Sequence, residues 1–313
     1  MKHLVVIPSI IGSVLMVAGG AVFAVGLAGC SKKNTLTHEF ALEGEFTDID
    51  FNLNISDVKF NATTDGTKKV VFKETDKMHH TYSVSEGKLK IGFEDTRKWY
   101  DKMFTTEHFT VDLYIPSAHY GELTVNSSTG DFLVPSEFYF NNVNIKVSTG
   151  DVDLKCSVSE SLNVTASTGK VNLNSLNAKN ISLTADTGSA VLNEVKAEEK
   201  ITVRRSTGNI IMTTVRAKDY ESNSSTGRVE LNDVIMDNHI KIKTSTGDVK
   251  FDGSDAATLN IETSTGDVKG TLLTSKIFYV KTDTGKVNVP TSTEGGLCEI
   301  TTDTGDVNIS IKA

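Results

Sequence analysis

The dipeptide Thr-Gly recurs ten times in the last two thirds of the chain, each time with Ser or Asp before the threonine. Successive glycines are separated by 19 or 20 residues throughout. A unit this short cannot bury an apolar face alone, so it becomes stable only by stacking on neighbouring copies. The glycines that define the repeat are Gly130, Gly150, Gly169, Gly188, Gly208, Gly227, Gly247, Gly266, Gly285 and Gly305.

Apolar and polar residues alternate on both sides of each Thr-Gly. The positions seven and five residues before the glycine are mostly apolar, as in Leu123 and Val125, and so are those two and four after it, as in Val152 and Leu154. This period of two is typical of strands with one buried face. Several copies carry a third apolar residue seven positions after the glycine: Leu176, Val195, Val215, Val234 and Leu273.

These patterns predict an all-β fold in which residues 121–313 form a single-stranded parallel β-helix, a solenoid of ten coils. Each repeated glycine is predicted to be a structural corner, because glycine permits the positive φ that a tight turn often needs. Cys156 and Cys298 would lie about seven coils apart, roughly 34 Å at ~4.8 Å per strand spacing. A disulfide needs α-carbons within about 7 Å, so we interpret both as apolar core residues.

Residues 40–120 lack the regular period, and we predict that they form an N-terminal β cap over the first coil. The segment Phe51–Phe60 is interpreted as a degenerate coil, since its Ser-Asp-Val is similar to the repeated Ser-Thr-Gly-Asp-Val. Glu86-Gly87 is predicted to be a hairpin turn. No comparable cover follows the last coil. Its polar residues would discourage edge pairing, or the C-terminal coil would dock on a partner or on a second copy of the chain.

Residues 1–30 differ in composition from the rest. A short basic start precedes 26 uncharged residues, Leu4–Gly29, and then Cys30. The run is long enough to cross a bilayer as a transmembrane helix, and it also has the parts of a signal peptide. Its last four residues, Leu-Ala-Gly-Cys, resemble a bacterial lipobox, which would make Cys30 the site of lipidation. Both a cleaved lipoprotein and an uncleaved anchor predict a membrane-associated, extracytoplasmic chain, with residues 31–39 as a tether.

The sequence carries few signals for chemistry. A net charge of −8 argues against a nucleic-acid partner, since no basic stripe is available to neutralise phosphates. No zinc spacing, nucleophile motif or nucleotide-binding loop occurs, so we predict no catalytic residue, no metal and no cofactor. His79 and His80 are predicted to lie in a loop.

Acidic residues follow several of the repeated glycines, on the outward side of the predicted corners. Asp248 with Asp267, and Asp131 with Asp151, would lie on adjacent coils, where two carboxylates can hold a cation or act as an acid–base pair. Basic residues share the same column and favour an alternating, solvated charge ladder instead. These basic residues are Lys170, Arg228 and Lys286.

An aromatic, basic segment interrupts the predicted cap and contains the single tryptophan of the chain. Trp99, Tyr100 and Phe104 are predicted either to pack over the first coil or to form a contact loop at the end of the solenoid near the membrane.

The repeated Ser-Thr-Gly-Asp-Val corners, the strand Val-Asp-Leu-Tyr-Ile-Pro before the first coil and the apolar N-terminus resemble the bacterial putative-adhesin family. These are β-helix proteins of the cell envelope that form a domain of unknown function, and the resemblance runs from about Phe40 to the C-terminus. It implies a surface location, at times beside envelope-stress signalling systems, and no catalytic residues.

The sequence therefore favours a non-enzymatic structural or interaction module, adhesin-like, that binds an envelope protein or a glycan through flat polar faces. Two alternatives stay open: an accessory protein of an envelope-stress signalling system, and a carbohydrate-active β-helix enzyme.

Overall fold

A computed structural model of the chain describes residues 35–98 and 109–312. These residues form 24 strands, which hydrogen-bond into one continuous sheet, and no helix. The strands before the repeats are β1 (Leu36–Ala41), β2 (Asp48–Ile55), β3 (Asp57–Thr63), β4 (Lys69–Glu74), β5 (Met78–Ser85), β6 (Lys88–Asp95) and β7 (Thr110–Pro116).

The repeats build the remaining strands. The first eight are β8 (His119–Thr129), β9 (Phe132–Val134), β10 (Tyr139–Thr149), β11 (Val152–Leu154), β12 (Ser157–Thr168), β13 (Val171–Asn174), β14 (Asn177–Thr187) and β15 (Ala190–Asn193). The others are β16 (Lys196–Thr207), β17 (Ile210–Thr226), β18 (Val229–Thr246), β19 (Val249–Thr265), β20 (Val268–Leu272), β21 (Lys276–Thr284), β22 (Val287–Asn288), β23 (Gly296–Thr304) and β24 (Val307–Ile311).

Each repeat forms one rung of a parallel β-solenoid, with a long strand before the glycine and a short one after it. The rungs stack in register: Val143 of β10 pairs with Leu123 of β8 on one side and Leu162 of β12 on the other. Because equivalent residues lie over one another, the apolar columns merge into one interior, and these three side chains are fully buried. The predicted all-β parallel solenoid of about ten turns is confirmed.

Two further rungs lie on the N-terminal side of the repeats. β2 and β3 pair in parallel with β8 and β9, so the predicted degenerate coil at Phe51–Phe60 is confirmed. β6 and β7 stack outside that coil, again in parallel. The inner rung, β2 with β3, therefore precedes the outer rung, β6 with β7, in the chain.

Antiparallel strands close this N-terminal end. β5 pairs with β6 through the hairpin turn at Glu86-Gly87, where both residues have positive φ, and the predicted hairpin is confirmed. β4 pairs with β7, and β1 pairs with β4. The histidines predicted to lie in a loop are instead part of β5, with His80 buried, because the hairpin turns its side chain towards the interior.

The order of rungs at the C-terminal end also departs from the order in the chain. β19 pairs with β23, and β20 pairs with β24, so the last rung in the sequence inserts beside the Gly266 rung. The Gly285 rung, β21 with β22, is displaced to the outside. The C-terminal coil, expected to be the exposed end, is therefore an inner rung.

The third apolar column contains a predicted core residue that lies outside. Leu273 was expected in the third apolar column, but it is 39% exposed, and Leu272 is buried in its place. The cause is a register shift between Phe251 and Ser254, which aligns Ser254 with Leu272.

The two described thiols are both buried, in agreement with the stacking argument. Burial raises the pKa of Cys156 to about 12, and likewise that of Cys298. Neither thiol is therefore a thiolate at neutral pH, so both behave as small core residues.

Candidate interaction surfaces

The repeated glycines form one vertical column of corners. All ten have positive φ, between 123° and 158°. The column is also crowded: a Cβ added at Gly150 would overlap the carbonyl oxygen of Gly130, and one at Gly208 would overlap that of Gly188. Close approach between rungs, together with the backbone conformation, therefore requires glycine at these corners.

The acidic column beside the corners has a backbone role. The Asp131 carboxylate accepts a 2.7 Å hydrogen bond from the backbone N–H of Asp151 in the next rung. Asp248 likewise accepts from the N–H of Asp267 at 3.1 Å, and Asp267 accepts from the N–H of Asp306 at 2.9 Å. Hydrogen bonds from the Asp306 N–H and the Lys269 side chain hold the pKa of Asp267 below its ordinary value.

Each of these carboxylates thus joins one rung to the next. In the part of the chain that the structure describes, no group of three or more His, Cys, Asp or Glu side chains could hold a metal ion. These carboxylate-to-amide hydrogen bonds explain the acidic residues in this column, because they help to hold the stacked rungs together. The alternation of charges in the sequence did not reveal this role.

A ladder of polar side chains covers an outer face of the first repeats. The Asn144 amide donates to Glu122 at 2.9 Å, and the Asn163 amide donates to Asn144 at 2.9 Å. A shallow depression lies over these rows. The side chains along it that face outward include Thr124, Asn126, Asn144, Lys146, Asn163 and Thr165. We call this surface the polar face; it presents amides and hydroxyls at the spacing of the rungs.

An exposed aromatic side chain precedes the polar face on β10, before a register shift at Phe140/Asn142. Tyr139, on the same strand as Asn144, is 40% exposed. The His119 ring meets it edge to face at 4.6 Å, and His119 is held by a 2.7 Å hydrogen bond to Asn141. The ring is therefore both accessible and supported from the neighbouring rung.

A buried network in the cap joins a serine, a histidine and a glutamate. Ser56 Oγ lies 2.8 Å from His80 Nε2, and His80 Nδ1 lies 2.9 Å from Glu74 Oε2. The other Glu74 oxygen lies 2.7 Å from His38 Nδ1. Burial by itself raises the pKa of Glu74, but the hydrogen bonds from His80 and His38 outweigh it and hold the pKa below its ordinary value.

The serine, histidine and glutamate are connected as in a hydrolase triad, but a substrate has no access to them. Ser56 is 2% exposed and His80 is 6% exposed, so a substrate cannot reach the serine oxygen. The network instead satisfies buried polar groups where the link between β2 and β3 meets β4 and β5. The sequence offered no signal for it, because its members are separated by six to 24 residues without a recognised spacing.

The C-terminal end of the solenoid is a second distinct surface, formed by the Gly285 rung. Val287 occupies a core column yet is 48% exposed, whereas its equivalent Val268 is fully buried. The outward side chains of this end are also apolar: Tyr279 is 64% exposed and Leu297 is 48% exposed. We call this surface the open end.

Several predicted residues lie outside the described ranges. These are Cys30 with the whole N-terminal segment, and the contact-loop residues Trp99, Tyr100 and Phe104. Within residues 35–98 and 109–312, no helix is long and apolar enough to cross a bilayer.

The described residues define a parallel β-solenoid protein with antiparallel strands at one end. The sequence pattern of the Toastrack DUF4097 family matches residues 46–200 and again residues 195–313, and the chain belongs to this family. The resemblance to the putative-adhesin family is confirmed. No curated protein matches the chain significantly in sequence.

The chain is also similar to several solved structures that are distant from it in sequence. A putative adhesin from Bacteroides fragilis is 14% identical, with a TM-score of 0.42 over 89% of this chain and 98% of that one. A putative lipid binding protein from Parabacteroides distasonis is 18% identical, with a TM-score of 0.46 over 76% and 94%. A putative adhesin from the same species is 14% identical, with a TM-score of 0.43 over 85% and 97%.

Proposed function

We propose that the protein is a membrane-tethered, extracytoplasmic interaction module of the bacterial cell envelope, adhesin-like and non-enzymatic, and that its polar face binds an envelope glycan. The observation that carries the proposal is the row of amide and carboxylate side chains through Glu122, Asn144 and Asn163, with Tyr139 exposed before it on β10.

The chemistry of the polar face suits a sugar chain. Amides both donate and accept hydrogen bonds, as sugar hydroxyls do, and an exposed tyrosine offers an apolar ring with a polar tip. Tyr139 and Asn144 are five residues apart, at most about 16 Å at ~3.3 Å per residue, with a register shift between them that lets both face outward, so the ligand would be an extended oligosaccharide. Such a face binds by many shallow contacts.

The non-enzymatic reading is supported by the fate of the candidate acids. The Asp131 and Asp248 carboxylates are engaged with backbone N–H groups of neighbouring rungs. The one serine–histidine–glutamate chain in the described residues is buried in the cap. The carboxylates that the carbohydrate-active alternative would use thus already have a role in joining the rungs.

A glycan array followed by titration calorimetry tests the binding, using the full chain in detergent. Asn144→Ala and Tyr139→Ala should each lower the affinity for a bound glycan by about tenfold, the effect of losing ~1.4 kcal/mol. Asn260→Ala is the matched control. It removes the same kind of amide-to-glutamate bond, 2.9 Å to Glu299, from the same column near the opposite end. Equal losses in all three variants, or no bound glycan, would refute the proposal.

The tether is tested separately. Labelled fatty acid should enter the wild-type chain in bacterial cells and should not enter Cys30→Ala. If the apolar segment also serves as a signal, both chains should fractionate with membranes. Label absent from both chains would remove the lipoprotein reading. Loss of both chains from the membrane fraction would remove the tether itself.

A further inference from the structure

The open end concentrates the exposed apolar surface of the protein. Among the described residues, eight large hydrophobic side chains are exposed, and four of them lie in the Gly285 rung or in the rung beside it. The four are Ile277, Tyr279, Val287 and Leu297. Scattered exposed hydrophobics are ordinary, but a cluster of this kind marks an interaction surface.

The apolar outward positions are specific to this end. Ile277 and Tyr279 occupy columns that hold Thr258 and Asn260 in the Gly266 rung. Leu297, in the next rung of the stack, lies in register beside Ile277. The chain therefore departs from its polar exterior where the stack stops.

The backbone of the open end is also unpaired. β21 and β22 hydrogen-bond to β23 and β24, and in the described part of the chain no strand covers their other side. Such an edge is completed by another strand, and proteins usually protect it with charge, proline or a covering segment. β21 has two lysines: Lys276 is buried, and Lys281 is exposed on the outward face of the strand.

A second copy of the chain is the occupant that fits. The exposed charges of this rung are balanced, Lys281 and Lys286 against Asp283 and Glu294, although the whole chain carries a net charge of −8. The open end is thus a place where two acidic chains can meet without net repulsion. The N-terminal end of a neighbour offers less apolar surface, since Leu36 and Tyr82 are the exposed large hydrophobic residues among the described residues before the repeats.

We propose that two copies associate end to end through their open ends, with β21 of each pairing antiparallel to β21 of the other about a two-fold axis. An isologous contact of this kind closes at a dimer. With the axis at Thr282, Lys281 of each copy lies opposite the partner's Asp283, and Tyr279 lies opposite the partner's Gly285. An aromatic ring across from an edge glycine is a stabilising cross-strand pair.

The consequence for the cell rests on the proposed membrane tether. β1 begins at Leu36, six residues after Cys30, so the capped end is the one next to the tether. The open end then lies roughly 50 Å further out, across the stacked rungs at ~4.8 Å each. Two copies joined by their open ends would carry their tethers at opposite ends, which joins two facing membranes.

Light scattering coupled to size-exclusion chromatography tests the contact, with the full chain in detergent. The wild type should be a dimer at micromolar concentration. Tyr279→Asp should raise the dissociation constant by at least about tenfold, because it places a carboxylate in the apolar centre without touching the core. Tyr139→Asp changes the other well-exposed tyrosine of the repeats and should leave the dimer intact. A monomeric wild type, or equal dimerisation of Tyr279→Asp, overturns the proposal.

Crosslinking tests the register and does not depend on a destabilising variant. Opposite residues in an antiparallel pair have α-carbons about 4.5–5.5 Å apart, within disulfide range. Thr282→Cys should therefore crosslink when oxidised with copper phenanthroline. Thr263→Cys, in the same column of an enclosed rung, should not. Equal crosslinking of both variants, or none with Thr282→Cys, contradicts the two-fold pairing.

Clustering of vesicles made of phosphatidylethanolamine and phosphatidylglycerol distinguishes the end-to-end contact from the proposed membrane tether. Vesicles carrying the full chain should cluster, and those carrying Tyr279→Asp should stay dispersed. A chain that dimerises in detergent but does not cluster vesicles would contradict the tethered arrangement and leave the contact standing.

Discussion

At the N-terminal end of the stack, β2 and β3 form the first rung of the chain. The strands β4 and β5 follow, and β6 and β7 then form a second rung outside the rung of β2 and β3. At the C-terminal end it lays down β21 and β22 outside, and then inserts β23 and β24 beneath them. Both ends therefore hold a rung that is out of chain order, and in both the inserted rung is enclosed by two neighbours.

The two ends differ in how the interior stops. The N-terminal end is filled with aromatic rings, such as Phe60 against Phe138 at 5.4 Å between ring centroids, and antiparallel strands cover its edge. At the open end, Phe278 and Val280 of the edge strand β21 are only partly buried against the core. A solenoid protein is soluble only when both of its ends are covered or polar. We therefore interpret the uncovered apolar end as a surface that binds a partner.

The largest effect is expected at the link that holds the open end in place. Lys276 Nζ lies 2.6 Å from Asp255 Oδ1, with both side chains almost fully buried. Lys276→Met leaves the aspartate charge buried without its partner, which costs about 3–5 kcal/mol. Hydrogen exchange should show the Gly285 rung detached while the cap stays protected.

The control is the double variant Lys276→Met with Asp255→Leu, which replaces the ion pair by apolar side chains and should recover most of the protection. If the Gly285 rung kept its protection in Lys276→Met, the ion pair would not be what places that rung outside.

The matching change in the cap should cost less. Glu74→Gln keeps the shape of the side chain but cannot accept hydrogen bonds from both His80 and His38, so we expect a loss of about 1.5–3 kcal/mol. Urea unfolding measures it. His38→Ala is the milder control, since His38 is partly exposed. A Glu74→Gln variant as stable as the wild type would mean that the network adds nothing to the closed end.

A matched pair of valines compares burial at the interior and at the open end. Val268 and Val287 occupy the same column, but only Val268 is fully enclosed. Truncation to alanine removes two carbons, so Val268→Ala should cost about 1.6 kcal/mol, at ~0.8 kcal/mol per buried carbon. Val287→Ala should cost less than about half of that in the monomer. Equal costs in urea unfolding of dilute protein would show that the open end is covered after all.

Most of the solenoid could be predicted from the sequence, because each rung repeats the same physical requirement. Columns such as Leu123 with Val143 are visible as periods, and the corner glycines mark where rungs must touch. The degenerate coil at Phe51–Phe60 was recognisable for the same reason.

The order of rungs at the ends could not be predicted, because neighbouring repeats satisfy the same stacking rule. Nothing in the Gly305 repeat distinguishes a neighbour at Gly266 from one at Gly285. The burial of Arg205 could not be predicted from the sequence either, because this residue lies in a column of small residues and donates a hydrogen bond to the Gly188 carbonyl. The Ser56–His80–Glu74 network arises only when the link between β2 and β3 meets β4 and β5.

The smallest expected difference between the ends is their response to acid. Hydrogen bonds from the two histidines hold the pKa of Glu74 below its ordinary value of 4.5. The fold therefore favours the carboxylate, so its contribution is full above about pH 4.5 and is lost as the pH falls through the lower folded pKa. Urea midpoints of the wild type and Glu74→Gln, measured from pH 7 to pH 3, should converge at the acid end. A constant gap would show that the charge of Glu74 is not what stabilises the cap. Val268→Ala provides the reference, because removing an uncharged side chain should leave a gap to the wild type that does not change with pH.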